Sequence, residues 1–335
     1  MTYRYLGRRG MKVSELCLGA MTFGRELDPS DSHRVLDRFV DSGGTFIDTA
    51  NVYNNGESEK IIGDWLKGRD RHQVVLATKV RFPMGEGPND TGSSRKNILR
   101  QIDESLRRLG TDFVDLYQLH CWDEGTDLDE TLLTMDQLVR DGKVRYIGAS
   151  NYTGRQLQRA VDLQCSAGLE RFRCLQPQYS LLCRSTEWDL VPLCREEGIG
   201  IIPWSPLKGG WLTGKYRKEM DAPPAQSRVG RSRGDDAEGD WRADVSEQTW
   251  AVVEELVSVA DTLGRHPAQV ALRWLLQKPG VTAPIVGVSR MDHLSTALGA
   301  AEFELEAETL ARLDAVSETK PPYPWNFVFR ANDDR

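Results

Sequence analysis

Two rhythms of apolar residues alternate along this chain. Short, continuous apolar runs are followed by longer stretches in which the apolar positions recur every three or four residues. The short runs at 16–18, 45–47, 74–78, 114–119, 144–148, 174–176, 200–202 and 284–286 predict strands. The stretches 32–41, 58–67, 95–109, 128–141, 154–166 and 190–197, and the one after Arg290, predict helices. Ile98, Ile102, Leu106 and Leu109 show the helical spacing most plainly. Repeated strand–helix alternation with short connections predicts parallel strands closed on themselves. The expected fold class is therefore α/β, a (β/α)8 TIM barrel with long loops at the carboxyl ends of its strands.

Three features fall outside the repeat. Tyr3-Arg4-Tyr5 and Met11-Lys12-Val13, separated by Gly10, predict a hairpin capping the barrel floor. A polar insertion at 209–245, rich in Gly, Asp and Arg, is long enough to predict a functional or disordered loop. Helices are expected after it at 246–263 and 267–277. The tail at 320–335 carries Pro321, Pro322 and Pro324, so 320–327 is expected to be non-helical. Trp325 and Phe327 in that tail suggest a flap over a pocket. All of these fit one domain spanning 1–335.

Composition narrows the partners. The chain has 335 residues, with 43 Lys and Arg against 50 Asp and Glu, for a formal charge of −7. Such a surface repels phosphate backbones, so no nucleic-acid partner is expected. Arg228, Arg231 and Arg233 form a local basic stretch, but Asp235, Asp236 and Glu238 interleave with it, as in a solvated loop. No apolar stretch approaches the length of a membrane span, and the start, Met1-Thr2-Tyr3-Arg4, opens no apolar signal segment. Six cysteines without C-x-x-C spacing read as small buried hydrophobes, and a cytoplasmic location is expected.

Candidate chemistry appears where the apolar runs end. Run 45–47 leads into Asp48, with Tyr53 five residues later. Run 74–78 leads into Lys79, and run 113–119 into His120. Catalytic residues of barrel folds sit at the carboxyl ends of strands, so neighbouring strands would gather an acid, a phenol, an amine and an imidazole at one mouth. Each has an ordinary use when alone: Asp in turns and caps, Lys on wetted surface, His in packing. The case rests on the joint pattern. A free phenol is a poor acid at neutral pH, and a neighbouring ammonium would make it a better proton donor. Asp48 would keep Lys79 charged, and His120 would polarise a carbonyl oxygen. That combination describes proton delivery to an oxygen as hydride reaches its carbon, and hydride requires a nicotinamide cofactor.

These stretches resemble the aldo-keto reductase superfamily. The resemblance is carried by 44–50 with Tyr53 and 56–59, Ala77-Thr78-Lys79, 115–120, 148–151, 178–182, 203–207 and 267–274. It implies that Asp48, Tyr53, Lys79 and His120 form the catalytic tetrad, with Tyr53 the general acid. It further implies that Ser150, Asn151 and Gln178 hold the nicotinamide carboxamide. Trp204 would stack on the ring, and Ser205 and Leu207 would line the pyrophosphate. At the adenosine end Gly287 stands where many members carry a basic residue, His293 where they carry Arg and Ala297 where they carry Asn. Ser289 and Arg290 remain available for a 2′-phosphate, so NADP(H) is expected rather than NAD(H). Trp122, Trp211, Trp325 and Phe327 would wall the pocket for a small carbonyl substrate. The resemblance is strongest to bacterial-type and deoxysugar-pathway reductases. Potassium-channel β-subunits share the same blocks, so a cofactor-sensing binding subunit is the alternative.

Other signals fail. No G-x-G-x-x-G motif and no Tyr followed four residues later by Lys occurs, which removes two dinucleotide-binding readings. The stretch 209–215 imitates a P-loop, but Tyr216 stands where Ser or Thr must bind magnesium. The five histidines are scattered and no metal site is expected. A barrel lyase using Lys79 as a Schiff-base amine is a third reading, opposed by the expected Asp48–Lys79 pair.

Overall fold

The computed structural model describes residues 1–8, 10–231 and 241–332. Arg233, Asp235, Asp236 and Glu238 of the basic stretch lie outside the described residues. Strands β1 (Tyr3–Tyr5) and β2 (Lys12–Ser14) form an antiparallel hairpin with Arg4 opposite Val13. Eight parallel strands follow: β3 (Cys17–Gly19), β4 (Phe46–Asp48), β5 (Val75–Val80), β6 (Val114–Leu119), β7 (Val144–Ser150), β8 (Phe172–Gln176), β9 (Gly200–Ile201) and β10 (Ile285–Gly287). Their order is β10-β3-β4-β5-β6-β7-β8-β9. Backbone bonds close the remaining seam: Thr282 N donates to Ile201 O at 2.7 Å and Ile285 N to Pro203 O at 2.8 Å. This is the expected barrel.

The period-2 alternation of each strand sorts its residues between two cores. Outward positions such as Ile47, Leu76, Tyr117 and Leu175 pack in the large core beneath the surrounding helices. Inward positions Cys17, Phe46, Ala77, Leu116 and Cys174 form a second core, which Leu6 and Val13 of the hairpin plug from below. Two residues further along, the same inward faces present Asp48, Lys79, Gln118 and Gln176. An apolar layer thus carries a polar layer, and the polar layer is at the mouth. Gly148 of β7 makes room for it: a Cβ there would lie 2.6 Å from Cys174 Sγ and 3.4 Å from Gln118 Cγ.

The helices end where local chemistry ends them. Asp28 caps Pro29–Asp41, which begins on Pro29. Ser94 caps Arg95–Leu109, which stops at left-handed Gly110. Thr153 and Gln156 form a capping box on Gly154–Ser166. Behind β5, Arg108 Nε donates to Glu59 Oε2 at 2.6 Å and Thr78 Oγ1 to Glu59 Oε1 at 2.5 Å, tying Glu57–Leu66 and Arg95–Leu109 to the sheet. No described helix is long and apolar enough to cross a membrane.

Three expectations need correcting. Lys79 lies inside β5 rather than after it, because the ladder to β6 continues to Val80 opposite Leu119. The tail is helical over Trp325–Asn332. Its prolines all precede the helix, where a missing N–H costs nothing, so they start it rather than forbid it. The described part of the insertion is ordered rather than a loose loop: its Trp211, Tyr216 and Val229 pack with Trp250 and Val253 of the helix Glu247–Leu263 in a core of their own.

Candidate active site

Asp48 is the last residue of β4 and only 1% exposed. Lys79, fully buried, reaches it from β5, and its three N–H donors are all used: Asp48 Oδ2 at 2.5 Å, Thr49 O at 2.9 Å and Tyr53 Oη at 3.1 Å. Burial alone favours the neutral amine. The facing Asp48 and Tyr53 oxygens outweigh it and hold Lys79 above the ordinary lysine value, so it is an ammonium at neutral pH. Tyr53 opens the short turn Tyr53–Gly56 after β4, and its ring also lies 4.7 Å from Lys79 Nζ.

His120 follows β6, and its ring meets that of Tyr53 edge-on at 5.7 Å. Phe82 covers it from another side at 4.7 Å. Burial, then the positive charges of Lys79 and Arg81, push the imidazole well below its ordinary value. It is therefore neutral at physiological pH, and its buried Nδ1 has no hydrogen-bond partner. The structure brings all four strand-end residues together.

Two residues that sequence reasoning passed over complete this group. Gln118 Nε2 and Gln176 Nε2 each donate to Asp48 Oδ1 at 3.0 Å, and Gln176 Nε2 lies 3.1 Å from Gln118 Oε1. They leave Oδ2 to Lys79. The signal was present: Gln118 stands two residues before His120 on the same strand face, and a Gln ending an apolar run has no apolar use. Below them burial and the Asp48 charge raise the thiols of Cys17 and Cys174, which stay neutral.

The residues expected to hold a cofactor divide into two groups. Ser150 Oγ donates to Gln176 O at 2.7 Å. Asn151, at φ 55°, donates through Nδ2 to Ser150 Oγ and His120 O, both at 2.9 Å. It accepts from Trp204 Nε1 at 3.1 Å. Gln178 pairs along the backbone with Trp204. Trp204 is thereby linked to the His120 turn. Gln178 Nε2 and Ser205 Oγ are buried without partners, and Ser205 has φ 53°. Leu207 O accepts from Gly210 N and Leu212 N, closing a tight turn. Two buried polar atoms lacking protein partners are what a site for a polar ligand requires, so these residues fit a nicotinamide nucleotide.

The second group comprises the residues expected at an adenosine end. Gly287 ends β10 with open space beside it. Ser289 Oγ lies 3.2 Å from His293 Nδ1, and the exposed Arg290 pairs with Asp292 at 2.8 Å. Lys215 joins them: desolvation, then the charges of Arg231 and Arg290, hold it below the ordinary lysine value. Lys215 closes the stretch that imitates a P-loop, and only the fold puts it among these cations.

The aromatic walls fare unevenly. Trp211 is fully buried, stacked on Trp241 at 4.9 Å and packed against Tyr216 and Trp250. It does not reach open space and is not a pocket wall. The insertion's aromatics found a core of their own, and burial there outweighs exposure at the mouth. Trp122, half-buried, meets Tyr152 edge-on at 5.1 Å. Trp325 leans on Trp188 at 6.0 Å, in the connection after β8, and Phe327 is 64% exposed. Phe82, which sequence reasoning passed over, is an aromatic that packs on His120.

Known proteins share this arrangement of sequence. A family model described as the aldo/keto reductase family matches residues 15–318. The chain is 40% identical over 343 residues to the uncharacterized oxidoreductase YrpG of Bacillus subtilis, covering 97% of this chain and all of that one. It is 36% identical over 327 residues to a Schizosaccharomyces pombe protein named as a voltage-gated potassium channel subunit beta, covering 95% and 94% of the two chains. It is 32% identical over 336 residues to a norsolorinic acid reductase of Aspergillus flavus, covering 96% and 82%. With the matched segment running from before β3 to beyond β10, this chain belongs to the aldo/keto reductase family.

Proposed function

We propose that this chain reduces an aldehyde or ketone to the alcohol with NADPH, and that Tyr53 gives its proton to the carbonyl oxygen. One observation carries the reading: a buried ammonium, Lys79, bonded to Asp48 on one side and 3.1 Å from the Tyr53 oxygen on the other. A fixed positive charge at that distance stabilises the negative charge left on the phenol oxygen as its proton departs. Asp48 keeps the ammonium in place, and Gln118 and Gln176 keep Asp48 in place. His120, neutral and beside Tyr53, can donate a hydrogen bond to the carbonyl oxygen and polarise it. A bound nicotinamide supplies the hydride. Ser150, Asn151 and Gln178 are suited to its carboxamide, Trp204 to its ring, and Ser205 and Leu207 to its pyrophosphate. Gly287, Ser289, Arg290, His293 and Lys215 are suited to the phosphorylated adenosine end, whose cations favour NADPH over NADH.

The test is NADPH oxidation by purified protein with a panel of aldehydes and ketones. Wild type is expected to turn over several of them, and Tyr53→Phe to lower kcat by roughly 10²–10⁴ with cofactor affinity retained. No turnover by wild type, or equal turnover by Tyr53→Phe, overturns the reading.

Similarity to proteins named as channel β-subunits favours a second reading, a cofactor-sensing subunit with little turnover. It needs a persistent oligomer, and a strict monomer in sizing chromatography counts against it. The Schiff-base reading loses its ground in the geometry, because all three N–H donors of Lys79 are engaged and its charge is stabilised.

A further inference from the structure

Arg81 stands two residues beyond Lys79, at the end of β5, and no part of the proton machinery uses it. Its backbone has φ 145°, a region that side-chain-bearing residues adopt only when their surroundings impose it. The surroundings do so: Arg81 O accepts from Gly92 N at 2.8 Å and from Thr91 Oγ1 at 3.0 Å. The main chain is thus clamped, while the side chain makes no hydrogen bond among the described residues and is held only by a long ion pair and the Phe82 ring. Arg81 Nε is buried without a hydrogen-bond partner. Its nearest carboxylate oxygen, Asp123 Oδ1, is 3.9 Å from NH2, beyond hydrogen-bond reach. Asp123 is already committed, accepting from Ser93 N and Thr126 Oγ1 at 2.7 Å and from Gly125 N at 3.2 Å.

The guanidinium lies one aromatic ring away from His120. Its Cζ lies 5.4 Å from the Phe82 ring, which itself lies 4.7 Å from the His120 ring. Its charge reaches His120, where it adds to that of Lys79 in disfavouring the imidazolium. Two cations, Lys79 and Arg81, thus act on His120, and the first is already taken up by Asp48. A guanidinium fork with unused donors matches the two oxygens of a carboxylate.

We propose that Arg81 is a specificity-determining residue that anchors a carboxylate on the substrate, so that the preferred substrates are aldehydes or ketones bearing an acidic group. The proposal rests on the carbonyl-reduction reading and names the substrate class for that same site. The clamped backbone fixes where the side chain leaves the strand, and its donors, which make no hydrogen bond among the described residues and only one long ion pair to Asp123, are open to the ligand.

The experiment compares 4-formylbenzoate with its neutral counterpart 4-methylbenzaldehyde on wild type, Arg81→Gln and Arg81→Lys. Both kcat/KM and direct calorimetric binding of each aldehyde are measured. Wild type is expected to favour 4-formylbenzoate by roughly ten- to hundredfold, mostly through KM. Arg81→Gln should erase that preference, lowering kcat/KM for 4-formylbenzoate far more than for the neutral aldehyde, and Arg81→Lys should restore part of it. A wild type without preference in binding and turnover overturns the proposal, as does an Arg81→Gln variant that loses both aldehydes equally. Tighter binding of 4-formylbenzoate that vanishes in Arg81→Gln, with neither aldehyde reduced, upholds the anchor and overturns carbonyl reduction.

Discussion

The polar groups at this barrel's mouth form two sets. Around Asp48 the pairing is complete: Oδ2 takes Lys79, Oδ1 takes Gln118 and Gln176, and the remaining Lys79 donors go to Thr49 O and Tyr53. Around the rim, Gln178 Nε2, Ser205 Oγ, His120 Nδ1 and Arg81 Nε are buried and unpaired. The first set stabilises itself, because buried charge is tolerated only when paired. The second set costs stability in the absence of a ligand, and that cost is the mark of a binding surface. The paired group is thus anchored on strand residues Asp48, Lys79, Gln118 and Gln176, whereas Asn151, Ser205 and Arg81 sit in connections at unusual backbone angles.

The comparison can be broken by removing members of each set. The largest effect is expected from Lys79→Met, which strands Asp48 in the interior. Activity should vanish, and thermal or chemical unfolding should show a loss of about 3–5 kcal/mol. Gln118→Leu comes next. It deletes one donor to Asp48 and should cost about 1–3 kcal/mol of stability. If Gln118 positions the acid, the variant also moves the pH profile of kcat; a stability loss with an unmoved profile would reduce Gln118 to packing.

Rim substitutions should behave in the opposite sense. Ser205→Ala removes an unpaired buried hydroxyl, so apo stability should hold or rise by up to about 1 kcal/mol, whereas Gln178→Ala also removes the Oε1 that accepts from Cys183 Sγ at 3.6 Å. Fluorescence titration should meanwhile show NADPH binding weakened about tenfold, matching one lost hydrogen bond. Destabilisation of the apo protein by Ser205→Ala would mean that this part of the rim is paired after all.

The smallest effect concerns His120 and pH. Its folded-state value lies well below the unfolded one, so below about pH 6.5 the unfolded chain takes up a proton that the folded chain refuses. The sign is therefore loss of stability as pH falls through about 6.5, continuing until the folded imidazole also titrates. The slope is at most about 1.4 kcal/mol per pH unit. His120→Gln should lack this component, which urea unfolding at a series of pH values measures by difference.

Much of this was legible in the chain. Strand–helix alternation predicted the barrel, and bounds such as 95–109, 114–119 and 154–166 matched the observed elements to the residue. Those segments carry strong periodicity and local caps, which act over a few residues. The tail and the insertion were misjudged for one reason. Pro321, Pro322 and Pro324 were weighed by number rather than by position relative to a helix start. Trp211 was weighed by type rather than by what surrounds it.

The sequence by itself determined the barrel and that Asp48, Tyr53, Lys79 and His120 gather at its mouth, because strand periodicity and strand ends set which side chains share that face. Only the tertiary structure decided how those side chains pair. Gln118 and Gln176 meet Asp48 across separate strands, Trp211 disappears into its own core, and Lys215 joins Arg231 and Arg290. The physical reason is range. Periodicity and capping are read within a turn or a strand, whereas a hydrogen bond between residues 70 or 128 positions apart exists only after the sheet has closed.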